Sequence, residues 1–214
     1  MRLYTCTGAP SPRRVTLYLA EKGIELDQVE VDLRTGEHLN DAFQAKSPEC
    51  TVPVLELEDG TCLWNSVGIR QYLEALHPDP PLLGGDDALA RATVTQWILW
   101  IEHNGLLAAA EAFRNAVEGM RDHAVPGRRP VAQISELATR GKLRFAHFLD
   151  DLDARLADRA FIATDEFTVA DIDACVVVDF GLRVTASDLD GHPEVADWHR
   201  RVVAREAFSG RGRS

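Results

Sequence analysis

The 214 residues carry 34 acidic against 23 basic side chains, a formal charge of −11, with 45% hydrophobic and 27% charged residues. That is the composition of a globular chain, long enough to bury one large core or two smaller ones, and it excludes a disordered polymer. An acidic balance without a basic run argues against nucleic acid and anionic membrane surfaces as partners and leaves small molecules and proteins.

Along the chain, Arg2 to Thr5 reads as a short strand, followed by the loop Cys6-Thr7-Gly8-Ala9-Pro10. A helix is predicted next, with Ser11 as N-cap, Pro12 at its first position, Val15, Tyr18 and Leu19 on one face, and Gly23 past its end. Val29, Val31 and Leu33 alternate with polar residues as a second strand. Leu39, Ala42 and Phe43 have helical spacing within His38 to Lys46. From Thr51 to Trp64 the pattern is two strands joined by Asp59-Gly60, with Pro53 at the start of the first. Ser66 is then expected to cap a helix bearing Ile69, Tyr72, Leu73 and Leu76. This βαβ(α)ββα order describes a thioredoxin-like layer of sheet and helices.

Three prolines and two glycines between Leu76 and Asp86 mark a boundary. Beyond it the pattern is helical: a long helix from Leu89 to about Gly119 with Val94, Trp97, Ile98 and Ile101 on one face, and a break at Pro126-Gly127 and Pro130. A helix with Phe145, Phe148, Leu149, Leu152 and Leu156 follows, then the capping box Thr168-Val169-Ala170-Asp171 before an apolar run, and a last helix over Pro193 to Phe208. The expected fold is α+β: a thioredoxin-like domain over residues 1–80, a linker over 81–88, and an all-helical bundle over 89–214. The acidity is shared, −6 in the first 80 residues and −5 in the rest.

Cys6, Cys50, Cys62 and Cys175 form no CxxC or metal-ligand spacing, and the seven histidines form no HExxH pattern, so neither a disulfide framework nor a metal is expected. No stretch approaches the ~18 apolar residues of a membrane span, and the N-terminus has no secretory core. A cytoplasmic protein is the expectation.

Ser11-Pro12-Arg13-Arg14-Val15 with Leu19 to Ile24, then Val52-Pro53-Val54-Leu55, then Asn65-Ser66 with Ile69 and Tyr72-Leu73, together with Thr168 to Asp171 and Trp198 to Arg201, resemble the glutathione S-transferase superfamily. The resemblance covers nearly the whole chain and implies a bacterial-type cytosolic transferase. Such a protein uses glutathione as co-substrate, conjugates its thiol to a small, largely apolar electrophile, and forms a homodimer in which each domain meets the other domain of the partner. The helix beginning at Ser66 would offer N–H groups, dipole and hydroxyl to the γ-glutamyl carboxylate. Val52, before a proline expected to be cis, would pair its backbone with the cysteinyl part. His38 falls where relatives place a polar group near the glycine end, although an exposed histidine on a polar segment is more often solvated.

Two positions depart from the family pattern. Asn65 stands where an acid or Gln commonly contacts the γ-glutamyl group, and it supplies no negative charge. Ala9, which has no donor, stands at the serine position of several classes. The cysteine position of another class falls on Pro10, and the Asn of a third falls on Ser11, so the resemblance implies Ser11 for thiol activation; a catalytic reading and an N-cap reading of it compete on equal terms, with Thr7 and Cys6 as alternatives. Tyr4, within the first strand, is expected to be structural, as is Asp171. Arg13 and Arg14 are read as structural or solvated. Trp97, Trp100 and Phe113 are candidates for an apolar substrate pocket between the domains, against a core role that is commoner at helical spacing. Competing functions are a glutathione-binding protein with little transferase activity, a glutathione-dependent reductase or isomerase, and a non-catalytic interaction module of the same fold.

Overall fold

A computed structural model of the chain describes residues 1–209. They form two compact units, Met1–Pro80 with Val125–Val131, and Pro81–Ala124 with the residues from Ala132 onward.

The first unit holds a four-stranded sheet in the order β2-β1-β3-β4. Strand β1 (Arg2–Thr5) runs parallel to β2 (Asp27–Glu30) and antiparallel to β3 (Val54–Glu56), which pairs antiparallel with β4 (Cys62–Trp64). Helix α1 (Pro10–Lys22) makes the crossover between the parallel strands, as such a pair requires. A 3-10 turn at Glu37–Leu39, helix α2 (Asp41–Gln44) and helix α3 (Ser66–Leu76) complete the unit. This is the thioredoxin-like order expected from the sequence. Strand alternation builds the core on both faces: Leu3 and Leu55 pair directly and are fully buried, while Val54 clusters with Val31, Phe43 and Val52.

Three local expectations need correction. Ser11 is not the N-cap of α1: the helix begins two residues earlier than expected, not at Pro12 but at Pro10, whose fixed φ and missing N–H suit the first position, and Ala9 is the cap residue. Ser66 is not the cap of α3 either; Asn65 is, its side chain accepting from the Val67 N–H at 2.8 Å. The second strand ends at Glu30, short of Val31 and Leu33. The strand pair β3–β4 is joined through Asp59-Gly60 as expected, in a loop closed by Leu57 N–H to Thr61 C=O at 2.8 Å and Gly60 N–H to Leu57 C=O at 3.1 Å, with Gly60 at φ 85°. Gly23, at φ 64°, ends α1 as expected, in a left-handed cap donating to Ala20 C=O.

Polar contacts also tie α1 to α3. The Tyr18 hydroxyl donates to Glu74 at 2.7 Å, and the enclosed Lys22 ammonium lies 2.7 Å from the same carboxylate and donates to His77 C=O at 2.7 Å. Burial, with Glu74 beside it, pushes the Tyr18 phenol far up.

The second unit is helical. Helix α4 (Ala88–Trp100), capped by Asp87, continues through a π-helical segment (Ile101–Leu106) into α5 (Leu107–Arg114), so the long predicted helix is present but interrupted, and it ends before Gly119. A β-carbon on Gly105, within the π segment, would lie 2.7 Å from Val177 and 2.9 Å from Phe148. Helix α6 (Ser135–Leu156) buries all five apolar residues assigned to it. Against it α5 comes very close: a β-carbon on Gly141 would sit 2.5 Å from the Ala112 backbone nitrogen. Helix α7 (Val169–Thr185) is buried on every side from Val169 to Val178, the mark of a central helix. Helices α8 (Pro193–Val203) and α9 (Glu206–Ser209) divide the single last helix expected from the pattern.

The capping box is formed. Thr168 accepts from Ala170 N–H at 3.3 Å, and Asp171 accepts from Thr168 N–H at 3.0 Å. Asp171 also accepts from Ile162 N–H at 3.1 Å and from the Trp198 indole at 3.0 Å, which binds the start of α7, the preceding loop and α8 at one carboxylate. No described helix is long and apolar enough to cross a membrane.

Candidate functional site

Register brings three strand ends together. Tyr4 lies opposite Val54, and Val54 opposite Trp64, so the end of β1, the start of β3 and the end of β4 are neighbours. The loop leading into α1, the Val52-Pro53 bond and the Asn65-Ser66 start of α3 therefore emerge at one end of the sheet. Val52-Pro53 is cis, as the resemblance implied. Val52 makes no main-chain hydrogen bond among the described residues.

At the start of α3, Asn65 satisfies the Val67 N–H. The N–H groups of Ser66 and Gly68 and the Ser66 hydroxyl make no hydrogen bond among the described residues. Asn65 holds a positive φ of 117°, a conformation that asparagine tolerates better than most residues. This leaves an N-terminus with free donors and the positive end of an 11-residue helix dipole, a ready anion site. Arg70, buried within the same helix, donates from Nε to Ser66 C=O at 3.1 Å.

The three residues weighed for thiol activation differ in their present engagements. Thr7 is committed: its N–H donates to Glu30 at 2.6 Å and its hydroxyl to the same carboxylate at 3.1 Å. Cys6 is a poor thiolate, because burial and then the Glu30 charge push its thiol up. Ser11 lies in the first turn of α1, half-buried, and its oxygen accepts from the buried Arg14 guanidinium at 3.1 Å. An oxygen that accepts from a cation keeps its own O–H to donate and is a better donor for it. Arg14 thus has a structural place, consistent with its reading from the sequence. Burial also pushes the Cys50 and Cys62 thiols up.

Tyr4 is structural, its hydroxyl donating to Glu56 at 2.7 Å while Lys46 lies 5.0 Å over its ring. His38 sits in the 3-10 turn Glu37–Leu39, eight residues beyond β2, and the strand register does not by itself bring it to the cluster. Trp97, Trp100 and Phe113 are half-buried in the helical unit. Trp97 packs edge-on against Trp100 at 5.2 Å and under Arg155 at 4.6 Å, Trp100 packs on Phe148 at 5.1 Å, and Phe113 on Phe180 at 6.0 Å.

Sequence reasoning missed the Glu30 latch on Thr7, for which an isolated acid leaves no local signal. It also misplaced the α3 cap. Asn before Ser is as good a cap as Ser, and the signal was there to be read.

Residues 9–76 match the family model of the glutathione S-transferase N-terminal domain, and residues 131–206 that of the C-terminal domain. The chain belongs to the glutathione S-transferase superfamily. A glutathione S-transferase of Arabidopsis thaliana, F11, is 32% identical over 97% of this chain and 95% of its own length. The crystal structure of a Gtt2-class glutathione S-transferase of Vibrio parahaemolyticus is 34% identical, covers 99% of this chain and 97% of its own, and superimposes with a TM-score of 0.84. Over a shorter stretch, 40% of this chain and 42% of the relative, a maleylacetoacetate isomerase of Pseudomonas aeruginosa is 39% identical.

Proposed function

We propose that the chain is a glutathione transferase in which the start of α3 holds the γ-glutamyl carboxylate, the Val52 backbone pairs with the cysteinyl part, and Ser11 donates to the sulfur. The observation that carries this is the meeting of the Val52 backbone and the free donors of Ser66 and Gly68 at one end of the sheet.

A free thiol of pKa ~8.5 is only about 3% thiolate at pH 7, and the thiolate is the nucleophile. A helix N-terminus contributes ~0.3 to 1 kcal/mol, while one pKa unit requires ~1.4. A hydroxyl donor supplies the remainder, and Ser11 backed by Arg14 is the side chain best prepared for it. Burial and the Glu30 charge, which push the Cys6 thiol up, support glutathione's own sulfur as the nucleophile. The thiolate attacks a small, largely apolar electrophile, forming a C–S bond as the leaving group departs or as a double bond takes up the proton. Asn65, occupied as a cap, gives the ligand ammonium no charge partner, so weaker glutathione binding is expected than with an acid there. His38, a cytoplasmic setting and a homodimer belong to the same proposal.

The similarity of part of the chain to an isomerase favours a second reading, in which the thiolate adds and later leaves, so that glutathione is regenerated. Retention on immobilised glutathione, followed by thiol consumption with a chlorodinitrobenzene substrate, tests the first. Turnover that consumes thiol supports conjugation. Retention without consumption points to the isomerase or a binding protein, and no retention to an interaction module.

A further inference from the structure

Helices α7 and α8 assemble a ligand set that no short sequence motif announces. Cys175, fully buried in α7, and Asp179, one turn further along the same face, meet His199 of α8. The Cys175 sulfur, a carboxylate oxygen of Asp179 and a ring nitrogen of His199 all lie within 4.8 Å of one another, and His199 Nε2 is 2.7 Å from Asp179 Oδ1. A tetrahedral ion with bonds of about 2.0–2.3 Å sets its ligands roughly 3.3–3.6 Å apart, so small side-chain rotations convert this cluster into three corners of a tetrahedron.

We propose that Cys175, Asp179 and His199 form a binding site for a zinc-type divalent ion, with water at the fourth position. Thiolate, imidazole and carboxylate together suit a borderline-soft metal and disfavour calcium or magnesium, which take oxygen ligands. The site is held in place without the ion. Trp198, adjacent to His199, is anchored through its indole to Asp171, about two turns before Asp179 on α7, which ties α8 to α7. On loading, the Cys175 thiol releases its proton to solvent, and the His199–Asp179 hydrogen bond gives way to two metal bonds. The ion would then clamp α8 to α7, independently of glutathione.

The test uses the full chain, stripped with chelator and kept in a phosphine reductant without glutathione, titrated with Co(II) and then displaced with Zn(II). The expected result is one equivalent of Co(II) with a thiolate-to-metal charge-transfer band, unchanged in a Cys6→Ser/Cys62→Ser background. His199→Gln and Asp179→Asn, at partly exposed positions and checked for fold by circular dichroism, should weaken binding by more than the ~10-fold that even outer-sphere partners carry. Cys175→Ala should abolish the band. Absence of saturable one-to-one binding overturns the proposal. So does a band that survives Cys175→Ala, or affinity unmoved by both His199→Gln and Asp179→Asn.

Discussion

Replacing Asp171 by Ala strands three donors in the interior: the N–H groups of Ile162 and Thr168 and the indole N–H of Trp198. Each buried donor left unsatisfied costs about 1–3 kcal/mol, and the three share one cavity into which water can enter, so about 4 kcal/mol is expected rather than the full sum. Asn keeps the volume and an acceptor for Ile162 and Trp198 but turns an NH2 toward the Thr168 N–H. It also removes a charge whose burial pushes the carboxyl up against the pull of its donors. The net loss for Asn should be smaller, about 2 kcal/mol. Urea unfolding followed by far-ultraviolet circular dichroism and tryptophan fluorescence at fixed protein concentration measures both. A loss below about 1 kcal/mol for Asp171→Ala, or Asn costing more than Ala, would refute the view that this carboxylate holds loop, α7 and α8 together.

Ser11→Ala should raise the pKa of enzyme-bound glutathione by about one unit, the worth of one hydrogen bond to a charged group, and an unchanged thiol titration eliminates Ser11. Ser66→Ala should weaken glutathione binding about tenfold or more in calorimetry while leaving stability nearly unchanged, because its hydroxyl has no partner among the described residues; Asn65→Ala should cost about 1 kcal/mol of stability as a lost cap. Glu56 is held below the usual carboxylate range by the Lys46 hydrogen bond and then by Tyr4. Its contribution to stability is therefore full above the unfolded value of ~4.3 and lost as pH falls through the lower folded value, so Glu56→Gln should flatten the acid limb of the urea midpoint against pH, and an identical limb would count against it. Gly141→Ala should destabilise by about 1–3 kcal/mol or more through forced separation of α5 and α6, and a neutral result in thermal unfolding would contradict that close approach.

The parts of this fold legible in sequence are those in which one residue speaks for its own backbone. Gly23 ends α1 because it tolerates a left-handed φ, and the Thr168–Asp171 box names its own hydrogen bonds. The two misplaced helix caps share a cause. At Ala9-Pro10-Ser11-Pro12 two Xaa-Pro pairs, and at Asn65-Ser66 two adjacent cap residues, could each start a helix, and local chemistry does not choose between them. In the folded chain α1 starts from the earlier Ala9-Pro10 pair, and Asn65, at φ 117°, is the cap of α3. Neither the Glu30–Thr7 latch nor the Tyr18–Glu74–Lys22 contacts could be read, since each joins residues that only the folded sheet brings near. The same holds for Cys175, Asp179 and His199, whose convergence is a property of two helices and not of a spacing.

The assignment of Val125–Val131 to the first unit, fastened there by Arg128 to Asp41 at 3.0 Å, gives the polypeptide an itinerary that a list of domains conceals. The backbone crosses the boundary three times. A single cut after Pro80 would not part the protein into its two units, since the first would lose a seven-residue piece that its partner carries. Shuffling halves between relatives at that point would likewise graft one protein's strap onto another's α2, and Arg128 would have to find an Asp41 and a Gln44 waiting for it.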